Sequence, residues 1–331
     1  MQESWQTILS NHKESNFLQS PLWAETNKLI GHKIIVRTFN NSAVYLGIVK
    51  NARRGRYLEI PGGPILDWAN IGEVSQVFLS IVKEAKANGC VFVRFRPQLP
   101  NDSASRQYLT SVESLGLDLR PAPMHLHAQN TIILDLTKSE DDLLMSMRRQ
   151  TRYEVRRAQK QNLKVVEDNT EKTYQAFHGT QTLTAKRQGF IPPSLKELLA
   201  ERQAFGSNAH LYVSQTEAGE PIAYGLVLSY GKEAAYFEAA STELNQKLPG
   251  AYALLWHAIR SLKSAGCQRF NLWGIAPPGV KNHRYSGVTT FKTGFGGKVV
   301  EYLPAQDIVI KKLRYKVDEL VENTRKKKRN L

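Results

Sequence analysis

The chain has 331 residues, of which 41% are hydrophobic, and a formal net charge of +15 at pH 7. It is long enough for two domains with their own cores, and its two cysteines are too few for a disulfide framework. The longest apolar runs are much shorter than a membrane span, and the first residues lack the apolar segment of a secretory leader. We therefore expect a cytoplasmic protein in a reducing compartment.

Three segments of the first half of the chain recur in the second half at nearly the same offset. Each copy predicts antiparallel strands, then a helix, a glycine turn and a further strand. Cys90 and Cys267 occupy the same place in the two copies, so we interpret them as small buried hydrophobic residues rather than as nucleophiles. The matching pairs are residues 81–95 with 258–272, 32–36 with 210–213, and 43–49 with 222–227.

A strongly basic segment follows the first copy. Residues 148–160 contain six cations and one anion. Across residues 141–162, apolar residues recur at helical spacing on one face and cations line another. Such a stripe can bind RNA phosphates, and a solvated helix face is the alternative. The apolar positions are Leu144, Met147, Thr151, Val155 and Ala158, and the predicted RNA-binding cations are Arg149, Arg152, Arg156 and Lys160.

Residues 270–302 join two predicted strands through an unusually long connection. The first strand is predicted over residues 270–275 and the second over 298–302. A connection of more than twenty residues in a compact domain usually has a function. The glycine run beginning at Gly294 predicts a helix end, because glycine readily takes the left-handed cap. Lys292 is therefore expected in the last turn of a helix that lies over a strand end.

The C-terminal residues are also basic. Residues 311–329 hold nine cations and three anions, so this segment and residues 148–160 carry +11 of the net charge of +15. Clustered cations indicate a phosphate-bearing partner, either RNA or an anionic membrane surface, and a terminus that only aids solubility is the alternative. The strand predicted over residues 307–310 and the helix after it are expected to return to the first lobe. The predicted domains are residues 1–138 with 303–331, and residues 139–302.

Short motifs spread over nearly the whole chain resemble one known family by their order and spacing. That family is the Fem family of peptidoglycan-bridge aminoacyltransferases. The resemblance implies an α/β (α+β) fold of two tandem GNAT-like acyltransferase lobes with mixed sheets and no long coiled-coil arm. The motifs are Phe17-Leu-Gln-Ser20, Gly63-Pro64-Ile-Leu-Asp67, residues 147–158, Lys186-Arg-Gln-Gly-Phe190, Tyr236-Phe-Glu-Ala-Ala-Ser241, Leu248-Pro-Gly-Ala-Tyr252 and Phe291-Lys-x-Gly-Phe-Gly-Gly297.

The resemblance also implies an activity. Members of the family move an amino acid from aminoacyl-tRNA to the amino group of a peptidoglycan precursor stem peptide, which forms interpeptide bridges during cell-wall biogenesis. Aminoacyl-tRNA is then a co-substrate, no other cofactor is implied, and the acceptor is UDP-linked or lipid-linked. We expect the basic C-terminal segment to contact the inner face of the cell membrane, and the chain to be a monomer or a weak dimer.

The lysine of the Phe-Lys-x-Gly-Phe motif lies near the reacting groups in the family, which implies that Lys292 and Phe291 are catalytic residues. Aminolysis of an ester needs a hydrogen-bond donor where the tetrahedral oxyanion forms, and a lysine at a strand end can supply it. A lysine that only offsets the helix dipole is the alternative. The substrate-binding residues that the resemblance implies are Lys28, Asp67, Tyr236, Trp273, His283 and Tyr285.

No carboxylate is equally well marked as the catalytic base. Arg96 stands where the first lobe of the family often has an acidic residue, so Asp67, Glu238 and Asp307 remain as candidates near strand ends. The substrate's own groups are the alternative proton acceptor. The histidines show no metal-ligand spacing, and we expect no metal.

Two other functions fit parts of the sequence. An acyl-CoA N-acyltransferase would share the fold, but its pyrophosphate loop would correspond to residues 246–251, which contain a proline and one residue too many before the first glycine. A non-catalytic protein that binds RNA or a membrane surface would fit the charge clusters. It would leave the segment around Lys292 unexplained.

Overall fold

The structure is a computed structural model that describes residues 2–124, 126–188, 191–280, 283 and 285–329. Gly189 and Phe190 of the sequence motifs lie outside these residues. The chain divides into two units, of which the first comprises Met1–Asn130, Gly279–Arg284 and Val300–Leu331, and the second Thr131–Pro278 and Tyr285–Val299. The sequence prediction places residues 131–138 in the first lobe, and residues 279–284 and 300–302 in the second, so the boundaries differ at these three segments.

The described part of the chain forms α-helices and β-strands from its first residues to its last. The helices are α1 (Gln2–Asn11), α2 (Pro21–Leu29), α3 (Ile71–Ala87), α4 (Ser103–Glu113), α5 (Glu140–Ser146), α6 (Arg149–Lys160), α7 (Glu171–Gln188), α8 (Leu195–Phe205), α9 (Gly250–Ser264), α10 (Ser286–Thr293) and α11 (Lys312–Arg329). The strands are β1 (Lys33–Phe39), β2 (Ala43–Ala52), β3 (Gly55–Gly62), β4 (Phe92–Pro97), β5 (Leu119–Pro121), β6 (Asn130–Asp135), β7 (Lys164–Glu167), β8 (Ala209–Gln215), β9 (Pro221–Tyr230), β10 (Glu233–Ser241), β11 (Arg269–Asn271), β12 (Lys298–Glu301) and β13 (Gln306–Val309).

The strands form two mixed sheets that repeat one arrangement, as the duplicated sequence predicts. One sheet has the order β1-β2-β3-β4-β13-β5 and the other the order β12-β6-β11-β10-β9-β8-β7. The series β1-β2-β3-α3-β4 corresponds to β8-β9-β10-α9-β11, and in both series the last strand runs parallel to the one before it. In both sheets a strand from elsewhere, β13 or β6, pairs antiparallel with that last strand.

The predicted fold of two tandem lobes with mixed sheets is therefore confirmed. The C-terminal strand β13 lies between β4 and β5 in the first sheet. The longest helices in the described part of the chain, α7 and α11, have 18 residues each, so that part contains no long coiled-coil arm.

The helix-to-strand junctions show why both copies keep a Gly-Cys pair. After α3 and α9 a glycine adopts a left-handed conformation, with φ of 70° at Gly89 and 91° at Gly266. The N–H of the next residue, Cys90 or Cys267, then donates to the carbonyl five residues earlier, at 2.9 Å and 3.0 Å. This bond closes the helix end and directs the chain into the next strand. Both cysteines are buried, as predicted.

The end of α10 differs in one detail from the prediction. Gly294 caps the helix with a helical φ of −61°, not a left-handed one. It must be glycine for a different reason, because a Cβ at this position would lie 2.2 Å from the Thr151 hydroxyl oxygen. The left-handed conformations occur later, at Gly296 and Gly297.

Candidate active site at the parting strands of the second unit

The second sheet parts where the first remains paired. The parallel strands β10 and β11 are paired over three residues, up to Ala235 and Asn271. In the first unit, β3 and β4 are paired over five residues, up to Gly62 and Pro97. Beyond the parting point, β10 shifts register against β9 at Phe237, which forms a bulge. Bulges re-aim side chains and are frequent beside active sites, so the parting of the second sheet is the candidate site.

The chain turns sharply at the end of β11. The strand predicted to reach residue 275 stops at Asn271, because the Asn271 side chain accepts the N–H of Trp273 at 2.9 Å. Trp273 has a φ of 62°, a region that few non-glycine residues occupy. Its ring packs edge-on against Phe237 with 5.3 Å between ring centroids. The carbonyl of the next residue, Gly274, is thereby available to a side chain of α10.

That side chain belongs to Lys292, which lies in the last turn of α10, as predicted, and is 8% exposed. Its Nζ donates to the Gly274 carbonyl oxygen at 3.0 Å and lies 5.8 Å from the centre of the Tyr236 ring. Burial lowers the pKa of Lys292 to about 7, against the opposing effect of the Glu238 carboxylate. A lysine that only offset the helix dipole would not need to be buried, so the burial favours a functional role.

Glu238 comes directly after the bulge in β10 and is partly buried. Its carboxylate accepts a hydrogen bond from Gln181 Nε2 at 3.0 Å. Burial raises the pKa of Glu238 to about 7, although Lys292 and Gln181 both act to lower it. Lys292 and Glu238 therefore form a coupled pair that titrates near neutral pH.

Two further polar residues belong to this site and were not predicted from the sequence. They are Gln181 on α7, which is buried, and Glu201 on α8, which is 5% exposed. Burial, followed by the negative charge of Glu238, raises the pKa of Glu201 well above its usual range. The sequence signal for both residues is a polar side chain at a position where helical spacing predicts the buried face of the helix. The buried neighbours at that spacing are Tyr174 and Phe177 on α7, and Leu198 and Phe205 on α8.

The three candidate carboxylates have different surroundings. Asp67 is exposed and accepts the N–H of Ala69 at 3.0 Å, in the turn before α3. Asp307 is buried and accepts two hydrogen bonds from Arg94, at 2.8 Å and 2.7 Å. Both have structural partners within the first unit, whereas Glu238 lies near Lys292 in the second.

The structure brings Tyr236, Trp273 and Lys292 together in the second unit. Phe291, predicted beside Lys292, packs edge-on against Tyr252 and Phe295, with ring centroids 5.0 Å and 5.3 Å apart, and so helps to anchor α10 on the core.

The other predicted substrate-binding residues are Tyr285, Lys28 and His283, together with Asp67, which is described above. The carbonyl of Tyr285 accepts the N–H of Thr289 at 2.8 Å in the first turn of α10. Lys28 is exposed on α2, where its Nζ lies 3.4 Å from Glu25, and His283 is partly buried. Lys28, Asp67 and His283 all belong to the first unit.

The basic segment forms two helices rather than one. The chain leaves the helical conformation at Met147, between α5 and α6. The Arg152 guanidinium donates to the carbonyls of Met145 and Met147 and so closes the end of α5. The predicted apolar face is buried at Thr151 and Val155 on α6. Arg152, one of the four predicted RNA-binding cations, therefore has a structural partner at the helix junction.

The outer face of α6 carries Arg149, Tyr153, Arg156 and Lys160, which are all exposed. An aromatic ring between cations is the combination that single-stranded RNA-binding surfaces use, because bases stack on the ring while the cations contact phosphates. Tyr153 thus joins the predicted cations in place of Arg152. None of the described helices has the length and apolar character needed to cross a membrane, and the described residues include no cluster of histidine, cysteine or acidic side chains suited to a metal ion.

Comparison with known proteins connects this geometry to a family. The FemAB family model matches residues 1–218 and 194–323. Aminoacyltransferase FemA of Staphylococcus aureus (strain MRSA252) is 19% identical over an alignment 356 positions long, which covers 82% of this chain and 84% of FemA. Aminoacyltransferase FemB of Staphylococcus epidermidis is 28% identical over 106 residues, or 32% of this chain, and that match spans only 25% of FemB.

The crystal structure of FemX gives the same result for the fold. It aligns with 96% of this chain and 98% of its own, with a TM-score of 0.84 and 16% sequence identity. The resemblance to the Fem family is therefore confirmed, and the chain belongs to the FemAB family.

Proposed function

We propose that this chain is an aminoacyltransferase that moves an amino acid from aminoacyl-tRNA to the amino group of a peptidoglycan precursor stem peptide, in the formation of interpeptide bridges. The observation that carries the proposal is the buried Lys292 at the parting of β10 and β11, in a member of a family whose curated relatives are named aminoacyltransferases. Burying an ammonium costs free energy even when it has a partner such as the Gly274 carbonyl, and this cost supports a role for Lys292 in a reaction.

The proposed reaction begins when the acceptor amine attacks the ester carbonyl carbon of the aminoacyl-tRNA. A C–N bond forms and the carbonyl oxygen becomes an oxyanion, which protonated Lys292 stabilises. The Glu238 carboxylate accepts the proton that the amine loses. The C–O bond to the ribose then breaks, and Glu238 passes the proton that it accepted to the leaving ribose oxygen. The pKa values of both groups, at about 7, suit these roles at neutral pH.

The proposal keeps the remaining predicted residues as groups that contact the substrates or support Lys292. The Tyr236 ring lies beside Lys292, and Phe291 holds α10 in place. Trp273 directly precedes the Gly274 carbonyl to which Lys292 donates. The proposal also includes a location at the inner face of the cell membrane, where a lipid-linked precursor is present, whereas a UDP-linked precursor is in the cytoplasm. The proposed substrate contacts are Lys28, Asp67, Tyr236, Trp273, His283 and Tyr285.

A transfer assay tests the proposal directly. The protein is incubated with charged tRNAs and with a UDP-linked or lipid-linked precursor, and the mass of the acceptor is measured by mass spectrometry. We expect a mass gain of one amino acid residue that requires charged tRNA. Transfer from acetyl-CoA, with none from aminoacyl-tRNA, would contradict the proposal.

The structure gives a reason to prefer this function over acyl-CoA chemistry. An acyl-CoA enzyme of this fold would bind pyrophosphate at the N-terminus of α9. Here the N–H of Ala251 already donates to the Asn245 side chain at 2.9 Å. A Cβ on Gly250 would lie 2.3 Å from Ile222, so this turn packs tightly on β9. The N-terminus of α9 is therefore engaged within the second unit.

RNA binding by α6 can be tested separately. Replacing Arg149, Arg156 and Lys160 with glutamine removes three exposed cations. We expect weaker tRNA binding, and a slope of log affinity against log salt concentration that is shallower by about 2 to 3, because each phosphate contact contributes about 0.7 to 0.9. Filter binding over a salt series measures both quantities.

The control variant removes the same charge from elsewhere in the second unit. It carries glutamine at Lys138, Lys172 and Lys232, which are exposed. We expect this variant to keep the salt slope of the unsubstituted protein. Equal slopes for the two variants would show that the whole surface, and not α6, attracts RNA.

A further inference from the structure

The outer face of α11 carries an apolar stripe. Leu313, Val317 and Leu320 are 83%, 53% and 69% exposed. Their spacing of four and three residues places them on one face of the helix. Single exposed apolar residues are ordinary on a protein surface, but three aligned on one helix form a continuous ridge.

The opposite face of α11 is anchored in the first unit, so the stripe cannot turn inward. Tyr315 is buried and donates a hydrogen bond to Asp307 at 3.0 Å. The Asp318 carboxylate accepts from Arg54 Nε at 2.5 Å, and Glu322 accepts from Arg94 at 2.8 Å. Asp318 and Glu322 are thus directed toward the first unit, away from the apolar stripe.

Cations flank the stripe on both sides. At helical spacing, Lys316 borders it on one side and Arg314 on the other, and both are exposed. Arg325 and Lys326 add exposed positive charge one to two turns further along. A narrow apolar ridge between rows of cations is the pattern of helices that lie in the interface of an anionic membrane, with the ridge at the acyl boundary and the cations on the headgroups.

We propose that α11 binds the surface of an anionic lipid bilayer, with Leu313, Val317 and Leu320 inserted among the lipids and Arg314 and Lys316 on their headgroups. The charge pattern favours this partner over the alternatives. RNA would use the cations but leave the ridge exposed to water, and a second copy of α11 would oppose like charges. The inference deepens the membrane location in the proposed function, and it does not depend on the transfer chemistry.

Vesicle flotation of the full chain tests the inference. We expect the protein to float with vesicles that contain phosphatidylglycerol, to bind them less well as salt rises, and to remain unbound with pure phosphatidylcholine. Replacing Leu313, Val317 and Leu320 with glutamine should weaken binding about tenfold or more, because the apolar insertion is lost. Replacing Arg314 and Lys316 with glutamine should weaken it about fivefold per charge.

The matched control is Leu183→Gln on α7, which removes an apolar side chain that is 66% exposed. We expect it to bind vesicles as the unsubstituted chain does. All of these side chains are exposed, so thermal unfolding should be nearly unchanged and a loss of binding will not reflect misfolding.

Two results would overturn the inference. One is a failure of the unsubstituted chain to bind anionic vesicles, or equal binding by the triple glutamine variant and the unsubstituted chain. The other is a dimer in sedimentation that the same variant converts to a monomer, with vesicle binding unchanged, since that would assign the ridge to a second copy. Transfer to a water-soluble UDP-linked acceptor should be equal in all of these variants, so failure here is distinct from failure of the proposed function.

Discussion

Replacing Lys292 with methionine should abolish most of the transfer activity and leave the fold intact. Methionine has nearly the volume of lysine but no charge, so the oxyanion loses its donor, and we expect the turnover rate to fall about 100- to 1000-fold. The unfolding temperature should stay the same or rise, because the change removes a buried ammonium whose desolvation lowers its pKa to about 7. Single-turnover kinetics and thermal unfolding measure the two effects.

The matched control for this change is Lys298→Met, which alters an exposed lysine on β12 in the same unit. We expect that variant to transfer at the normal rate. A Lys292→Met protein with full activity would refute the catalytic role of Lys292, while family membership would stand. A protein that loses both activity and stability would instead indicate that the hydrogen bond to Gly274 holds the site together.

Repeated local patterns made much of the fold predictable. The paired Gly-Cys junctions after α3 and α9 mark the duplication, because a left-handed glycine and a buried small residue are needed at both places. The position of Lys292 was predictable for a similar reason, since a glycine run fixes where its helix ends.

The surroundings of Lys292 were harder to predict, because they depend on how distant segments meet. Glu238 follows the bulge that β10 makes at Phe237, and Trp273 packs on Phe237 where β10 and β11 have parted. Hydrogen-bond register of this kind leaves little trace in a single sequence. Gln181 and Glu201 are polar residues at positions of α7 and α8 where helical spacing predicts the core, which is a weak signal in the sequence. Whether such a position is buried depends on the strand that the helix covers, and the sequence of the helix alone does not show this.

Arg152 illustrates the same limit on a helix. Its spacing from the other cations of α6 predicts an exposed phosphate contact, yet it donates to the carbonyls of Met145 and Met147. Helical periodicity assumes one continuous helix, and the break after α5 creates free carbonyls that attract the nearest guanidinium. Tyr153 is exposed on the same face of α6 as Arg149 and Arg156. A pattern of clustered charge does not identify it, because its side chain is uncharged.

Replacing Glu238 with glutamine should change the pH dependence of transfer as well as its rate. In the unsubstituted enzyme, activity should fall below about pH 7 as Glu238 is protonated and above about pH 7 as Lys292 loses its proton, which gives a bell-shaped profile. Glutamine cannot accept a proton, so we expect the rate at pH 7 to fall about 100-fold or more and the acidic limb to disappear. Rates measured across a pH series show both changes.

The alkaline limb of that profile provides the sharper test. The Glu238 carboxylate favours the protonated form of Lys292, so its removal should lower the pKa of Lys292 further and move the alkaline limb to lower pH. A glutamate whose charge did not act on Lys292 would lower the rate without moving this limb. Glu217→Gln, an exposed change between β8 and β9, should leave both limbs in place. If Glu238→Gln keeps the bell-shaped profile unaltered, the proton acceptor lies elsewhere, and the substrate's own groups become the remaining candidates for that role.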